Sequence, residues 1–162
     1  MTTAHEHMSV RVDAFMTKRL YTVGPDERIY DVVQQLVKRG FSGCPVVVGK
    51  KLVGVLSEKD CIRALIRAVH DQLPPQQVSD VMTADVTTVS AGTPLLSAAH
   101  LFLQHPFRRL PVVDSGGRLL GQVSRRDLLK HAIQVFKVSG DRKSAFLYLS
   151  AVDGTVPPVP RR

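Results

Sequence analysis

The chain has 162 residues, 44% of them apolar, enough for one compact core. No apolar run approaches the roughly 20 residues that span a bilayer, and no basic start leads into an apolar stretch as in a signal peptide, so the protein is expected in the cytoplasm. The net charge of +8 divides as +3 over residues 1–77 (11 basic, 8 acidic) and +5 over residues 78–162 (11 basic, 6 acidic), which favours anionic partners such as nucleic acid, nucleotides or acidic proteins without choosing among them.

Residues 1–8 are polar and read as a disordered N-terminus. A first unit, 9–70, opens with Met16-Thr17 and a short strand at Thr22-Val23. Ile29, Val32, Val33, Leu36 and Val37 follow at i, i+3, i+4, i+7 and i+8, one face of an amphipathic helix. Cys44–Val48 and Leu52–Leu56 are apolar runs joined across Gly49-Lys50-Lys51, a hairpin. The second run passes through Gly54 into Ser57-Glu58-Lys59-Asp60 and a helical pattern of Cys61, Ile62, Leu65, Ile66 and Val69. Cys44 and Cys61 sit at apolar positions and read as reduced, small buried hydrophobes, with none of the paired spacing of a metal site.

Residues 71–77 contain Pro74-Pro75 and form a linker. A second unit, 78–137, then repeats the first. Met82-Thr83, Thr88-Val89, Phe107 and Pro111 lie 66 residues after Met16-Thr17, Thr22-Val23, Phe41 and Pro45. Thr93-Pro94 is expected to cap and start a helix whose apolar face is Leu95, Ala98, Ala99, Phe102 and Leu103. Leu110–Val113 and Leu119–Val123 give the second hairpin. Gly121, Ser124 and Asp127 follow Gly54, Ser57 and Asp60 at an offset of 67, the extra residue falling in the turn Ser115-Gly116-Gly117-Arg118. Leu128, Leu129, Ala132, Ile133 and Phe136 match the closing helix. Residues 138–162 are an extension: apolar Ser144–Leu149, as helix or strand, then a disordered tail ending Pro160-Arg161-Arg162.

Each Ser-x-x-Asp joins a strand to a helix. It can be a capping device, the serine accepting an orphan N–H and the aspartate lying in the positive first turn. The same geometry can serve a ligand, since a helix N-terminus attracts anions and a carboxylate there can accept both hydroxyls of a ribose. Catalysis is not expected: the six histidines have no metal-site spacing, and no nucleophile elbow or glycine-rich phosphate loop is present.

The ordered recurrence of Met-Thr, Thr-Val, an apolar helix, Pro-Val-Val and Gly-x-(Val/Leu)-Ser-x-x-Asp, from about Val12 to Phe136, resembles a pair of CBS domains. The resemblance implies an α/β (α+β) fold: two βαββα repeats with pseudo-two-fold symmetry, small sheets flanked by helices, and two clefts between them. It implies a non-catalytic regulatory module that binds AMP, ADP, ATP or S-adenosylmethionine, needs no cofactor, forms a homodimer and signals through its oligomer or to an effector protein. It assigns the ribose to Asp60 and Asp127 beside Ser57 and Ser124, and an adenine edge to backbone at Thr22, Val23, Thr88 and Val89. It lines the base with Ser42, Gly43, Cys44 and Pro45 in one unit, and with Phe107, Arg108, Arg109, Leu110 and Pro111 in the other. Phe41 and Phe107 fit a core as well as a base platform. Arg108, Arg109, Arg125 and Arg126 are expected to gather around Asp127, where Asp60 has Ser42, Gly43, Glu58 and Lys59, so the second cleft should take the more anionic ligand. The rival readings are a basic nucleic-acid-binding protein, which lacks a recognisable motif, and a structural adaptor with vestigial clefts.

Overall fold

A computed structural model describes residues 10–71 and 76–138. Helix α1 (Ile29–Arg39) turns Ile29, Val32 and Leu36 inward, while Val37, at the edge of the expected face, is exposed, and it stops at Gly40, whose φ of +65° lets its N–H reach back to Leu36 and Val37 carbonyls. The hairpin of β1 (Gly43–Val48) and β2 (Lys51–Ser57) is antiparallel, with an irregularity at Val46/Val47, and runs directly into α2 (Glu58–Asp71). Val23 pairs in parallel with Val46 as a single bridge, the first unit's equivalent of an opening strand.

The second unit begins with a short helix, α3 (Val78–Val81). Strand β3 (Val89–Ser90) pairs in parallel with β4 (Arg109–Val113), which pairs antiparallel with β5 (Leu119–Ser124). Helix α4 (Leu95–Gln104) lies between β3 and β4, and α5 (Arg125–Val138) follows β5. The helix after Thr93-Pro94 begins one residue later than its sequence suggests. Pro94 is the cap residue, and Thr93 instead accepts the Ser90 N–H through its Oγ1 at 3.1 Å, closing the turn before the helix. The 144–149 segment and both termini lie outside the described residues.

Each unit's lead-in packs into the other unit. Val12, buried in a 3-10 turn, joins Phe15 and Met16 in the core of Val89, Ala98, Phe102, Leu110, Val112 and Val123. Val78, Val81 and Met82 join the core of Val23, Val32, Leu36, Val46 and Leu56. Matched hydrogen bonds record the exchange. Val12 N–H donates to Thr93 O and Val78 N–H to Glu27 O, both at 2.9 Å; Leu95 N–H reaches Val10 O at 2.9 Å and Ile29 N–H reaches Gln76 O at 3.0 Å. These pairs interconvert at the offset of 66, so the sequence repeat is a spatial pseudo-two-fold.

The second helices depart from their expected burial. Of the predicted α2 stripe only Cys61 is buried; the inward face is Asp60, Cys61 and Ala64, and Ile66 and Val69 are 56% and 81% exposed. The helix contacts α1 and α3, and its most apolar stripe, Ile62, Leu65, Ile66 and Val69, is exposed among the described residues.

Candidate ligand clefts

The site is built where β2 becomes α2. Ser57, the last strand residue, donates from its N–H (3.0 Å) and its Oγ (2.5 Å) to Asp60 Oδ2, and the Asp60 N–H donates to Ser57 Oγ at 3.3 Å. Ser124 and Asp127 repeat the arrangement at 2.9, 2.6 and 3.1 Å. This is a reciprocal helix cap with aspartate in the third position. In the first unit it occupies one carboxylate oxygen only: Oδ1 of Asp60 lies 3.6 Å from Arg63 Nη1, and the residue is 7% exposed. An anionic group so buried needs donors around it, and the cap and Arg63 provide them.

The turn before β1 is pressed against this helix start. Glu58 N–H donates to Ser42 O at 3.1 Å, matched by Arg125 N–H to Arg108 O at 3.2 Å. Gly43 has φ +152°, and a Cβ there would collide with the Leu56 carbonyl, so glycine alone fits.

A cavity of about 660 Å³ opens beside Asp60. Ser42, Gly43, Cys44, Ser57 and Asp60, all expected at a site, line it with Phe107, Arg108, Arg109 and Pro111. The cleft therefore draws on both units. Arg108 and Arg109, expected around Asp127, stand on the Asp60 wall, while the backbone bond to Arg125 and the pairing of Arg109 with Ser124 also hold them beside the second cap. Val23, Val89, Pro45 and Leu110 are buried, three of them as core members and Pro45 within β1, and with Thr22 and Thr88 they are not on this wall.

Arg125 reaches elsewhere. Its Nη2 donates to Phe102 O at 3.2 Å and His105 O at 3.1 Å, closing the carbonyl end of α4. Arg126 is exposed at the start of α5.

Thr83, Asp85, Val86, Thr87 and Arg63 line the cleft but were not singled out by sequence. Four of them lie in the stretch from Thr83 to Thr87, in the lead-in that crosses to the other unit. The signal was Met-Thr paired with a distant glycine. Thr83 and Val55 exchange backbone hydrogen bonds of 2.9 and 3.0 Å, and a Cβ on Gly54 would meet Met82 Sδ at 2.6 Å. Thr17, Gln122 and Gly121 repeat this, the Gly121 Cβ meeting Thr17 O at 2.8 Å.

Burial pushes the Cys44 thiol up to about 12, with Cys61 and Glu27 adding to the shift. Burial, then the Asp60 charge, raises Cys61. Both are free, and neither is poised as a nucleophile. No group of residues suited to holding a metal ion occurs among the described residues, and no helix there is long and apolar enough to cross a membrane.

The family model described as "CBS domain" matches residues 10–67 and 78–134. CBS domain-containing protein CBSX1, chloroplastic, of Arabidopsis thaliana is 32% identical over 161 residues, covering 82% of this chain and 68% of that protein. The uncharacterized protein MJ0188 of Methanocaldococcus jannaschii is 30% identical, over 78% of this chain and 46% of its own length. The chain thus spans less than half of several curated relatives it matches. The crystal structure of Arabidopsis CBSX2 in complex with AMP superposes with a TM-score of 0.68 at 35% identity, over 77% of this chain and 97% of that one.

Proposed function

The chain belongs to the CBS domain family, and from that premise we propose that it is a non-catalytic sensor of adenosine-containing ligands, held in the clefts at Asp60 and Asp127. The observation that carries this reading is the pair of capped carboxylates. Each is fixed at a helix N-terminus by its serine, and Asp60 lines a cavity large enough for a nucleotide. The carboxylate accepts the ribose hydroxyls, Phe107 and the Ser42–Cys44 turn flank the base, and Arg108 and Arg109 offer planar donors to phosphate. The AMP bound by CBSX2 supports the same ligand class here. S-adenosylmethionine belongs to the class that the family resemblance implies.

Ligand occupancy would couple the units, since the Asp60 cleft takes its walls from both. The exposed α2 stripe fits a homodimer or an effector surface through which the signal passes. A monomer by light scattering at tens of micromolar protein would contradict the dimer.

A thermal-shift panel of AMP, ADP, ATP, S-adenosylmethionine and duplex DNA tests the reading. A ligand at a hundredfold excess over Kd stabilises the folded state by about 2.7 kcal/mol, a shift of several degrees. An adenosine compound should give that shift and DNA should not. No shift from any adenosine compound, or one from DNA that survives physiological salt, would contradict it.

A further inference from the structure

The pseudo-two-fold gives each charged position of the Asp60 wall a counterpart at an offset of 66 or 67, and the counterparts differ in charge. Asp60 is surrounded by Glu58, Lys59, Arg63 and Asp85, two acids and two bases. At the repeat offsets of 66 and 67 the counterparts of those positions are Arg125, Arg126, Lys130 and Arg19, four bases and no acid, and the matched backbone bonds Thr83–Val55 and Thr17–Gln122 relate the two lead-ins in space. Arg108 and Arg109 do not discriminate, because they line the Asp60 wall and also pack their backbone against the second cap. Arg125 is committed to the end of α4, which leaves Arg19, Arg126 and Lys130 as the available excess.

Residues 85 and 19 carry the sharpest contrast, an acid in one lead-in and a base in the other. Each is two residues beyond a threonine pinned to the opposite unit: Thr83 to Val55, Thr17 to Gln122. The backbone is thereby fixed, while the side chains are exposed. A carboxylate at 85 repels a chain of phosphates that an arginine at 19 attracts.

We infer that the clefts are sorted by ligand charge. The Asp60 cleft takes a nucleoside monophosphate or an uncharged adenosine compound, the Asp127 cleft takes a polyphosphate, and Asp85 and Arg19 set the choice. The adenosine part of this assignment rests on the function proposed above; the charge sorting rests on the two walls alone.

The test isolates each cleft by Asp127→Asn or Asp60→Asn and titrates AMP, ATP and inorganic tripolyphosphate by calorimetry at fixed ionic strength, with folding checked by circular dichroism. In the Asp127→Asn protein AMP should bind at least as tightly as ATP. Adding Asp85→Arg should tighten ATP and tripolyphosphate about tenfold, as expected for reversing one charge several ångströms away in a solvated cleft, with AMP changing far less. In the Asp60→Asn protein ATP should be preferred, and Arg19→Asp should weaken ATP and tripolyphosphate by a similar factor. The neutral changes Asp85→Asn and Arg19→Gln should give smaller shifts in the same directions. The same ATP-to-AMP ratio in both clefts, or ratios indifferent to residues 85 and 19, would overturn the sorting. Tripolyphosphate binding that responds to both residues while no adenosine compound binds would keep the sorting and remove the adenosine reading. Binding of none of the three would remove both.

Discussion

Ser57 and Asp60 form a helix cap whose geometry also fits the proposed ligand role. The reciprocal cap satisfies helix N–H groups, and it also holds a charged oxygen at a fixed point in a cleft. The motif was readable in sequence because both uses need the same spacing. What could not be read was where the arginines go: Arg125 turns away to the α4 carbonyls, a contact set by tertiary packing rather than by its neighbours. Cys44 gives a separate test at this scale. Its thiol rises from 9.0 to about 12 on burial, so the folded chain holds that proton more tightly than the unfolded one. The stabilisation is complete below pH 9 and is lost as pH climbs from 9 towards 12; Cys61 and Tyr21, also raised, act in the same direction. Stability should fall by up to about 1.4 kcal/mol per pH unit from this group across that window. Chemical denaturation at pH 8, 9, 10 and 11 should give a shallower decline in Cys44→Ala than in wild type. Parallel declines would show that Cys44 is not the source.

The elements themselves were largely legible. Period-3.6 faces located α1 and α4, and short apolar runs with glycine-bearing turns located both hairpins, because those signals are local. The exchange of lead-ins was not legible, since Met16 and Gly121 meet only across the fold. Their contact makes a graded prediction. Alanine at Gly43 meets backbone in a left-handed conformation, and at Gly121 it meets the Thr17 carbonyl at 2.8 Å. At Gly54 the nearest obstacle is the flexible Met82 Sδ, and at Gly92 nothing lies within 4 Å. Overpacking of this kind costs roughly 1–3 kcal/mol, so the loss should run Gly43 ≥ Gly121 > Gly54, with Gly92 within about 0.5 kcal/mol of wild type. Urea unfolding of the four alanine variants checks the order. A neutral Gly121→Ala would mean that Met16-Thr17 does not cross over Gly121 as described.

In the molecule as a whole each unit lends the other a lead-in, and the Asp60 cleft forms at the seam between them. A unit of about 60 residues buries little surface alone; the exchange joins both cores and places Thr83–Thr87 opposite Asp60. A ligand bound at this seam, as proposed, would touch both units at once. On the proposed function the capped aspartates hold an adenosine ligand as well as a helix. Calorimetric titration of AMP into wild type and into the Asp60→Asn/Asp127→Asn double variant tests it most directly, with ligand-free melting recorded alongside. The amide keeps an oxygen for the serine donors and loses the charge, so ligand-free stability should drop by only about 0.3–1 kcal/mol per site. AMP affinity should fall tenfold or more, as expected when a charged hydrogen-bond acceptor is lost. Wild-type AMP affinity in a variant whose ligand-free melting point has fallen would contradict the account and leave both aspartates as helix caps alone.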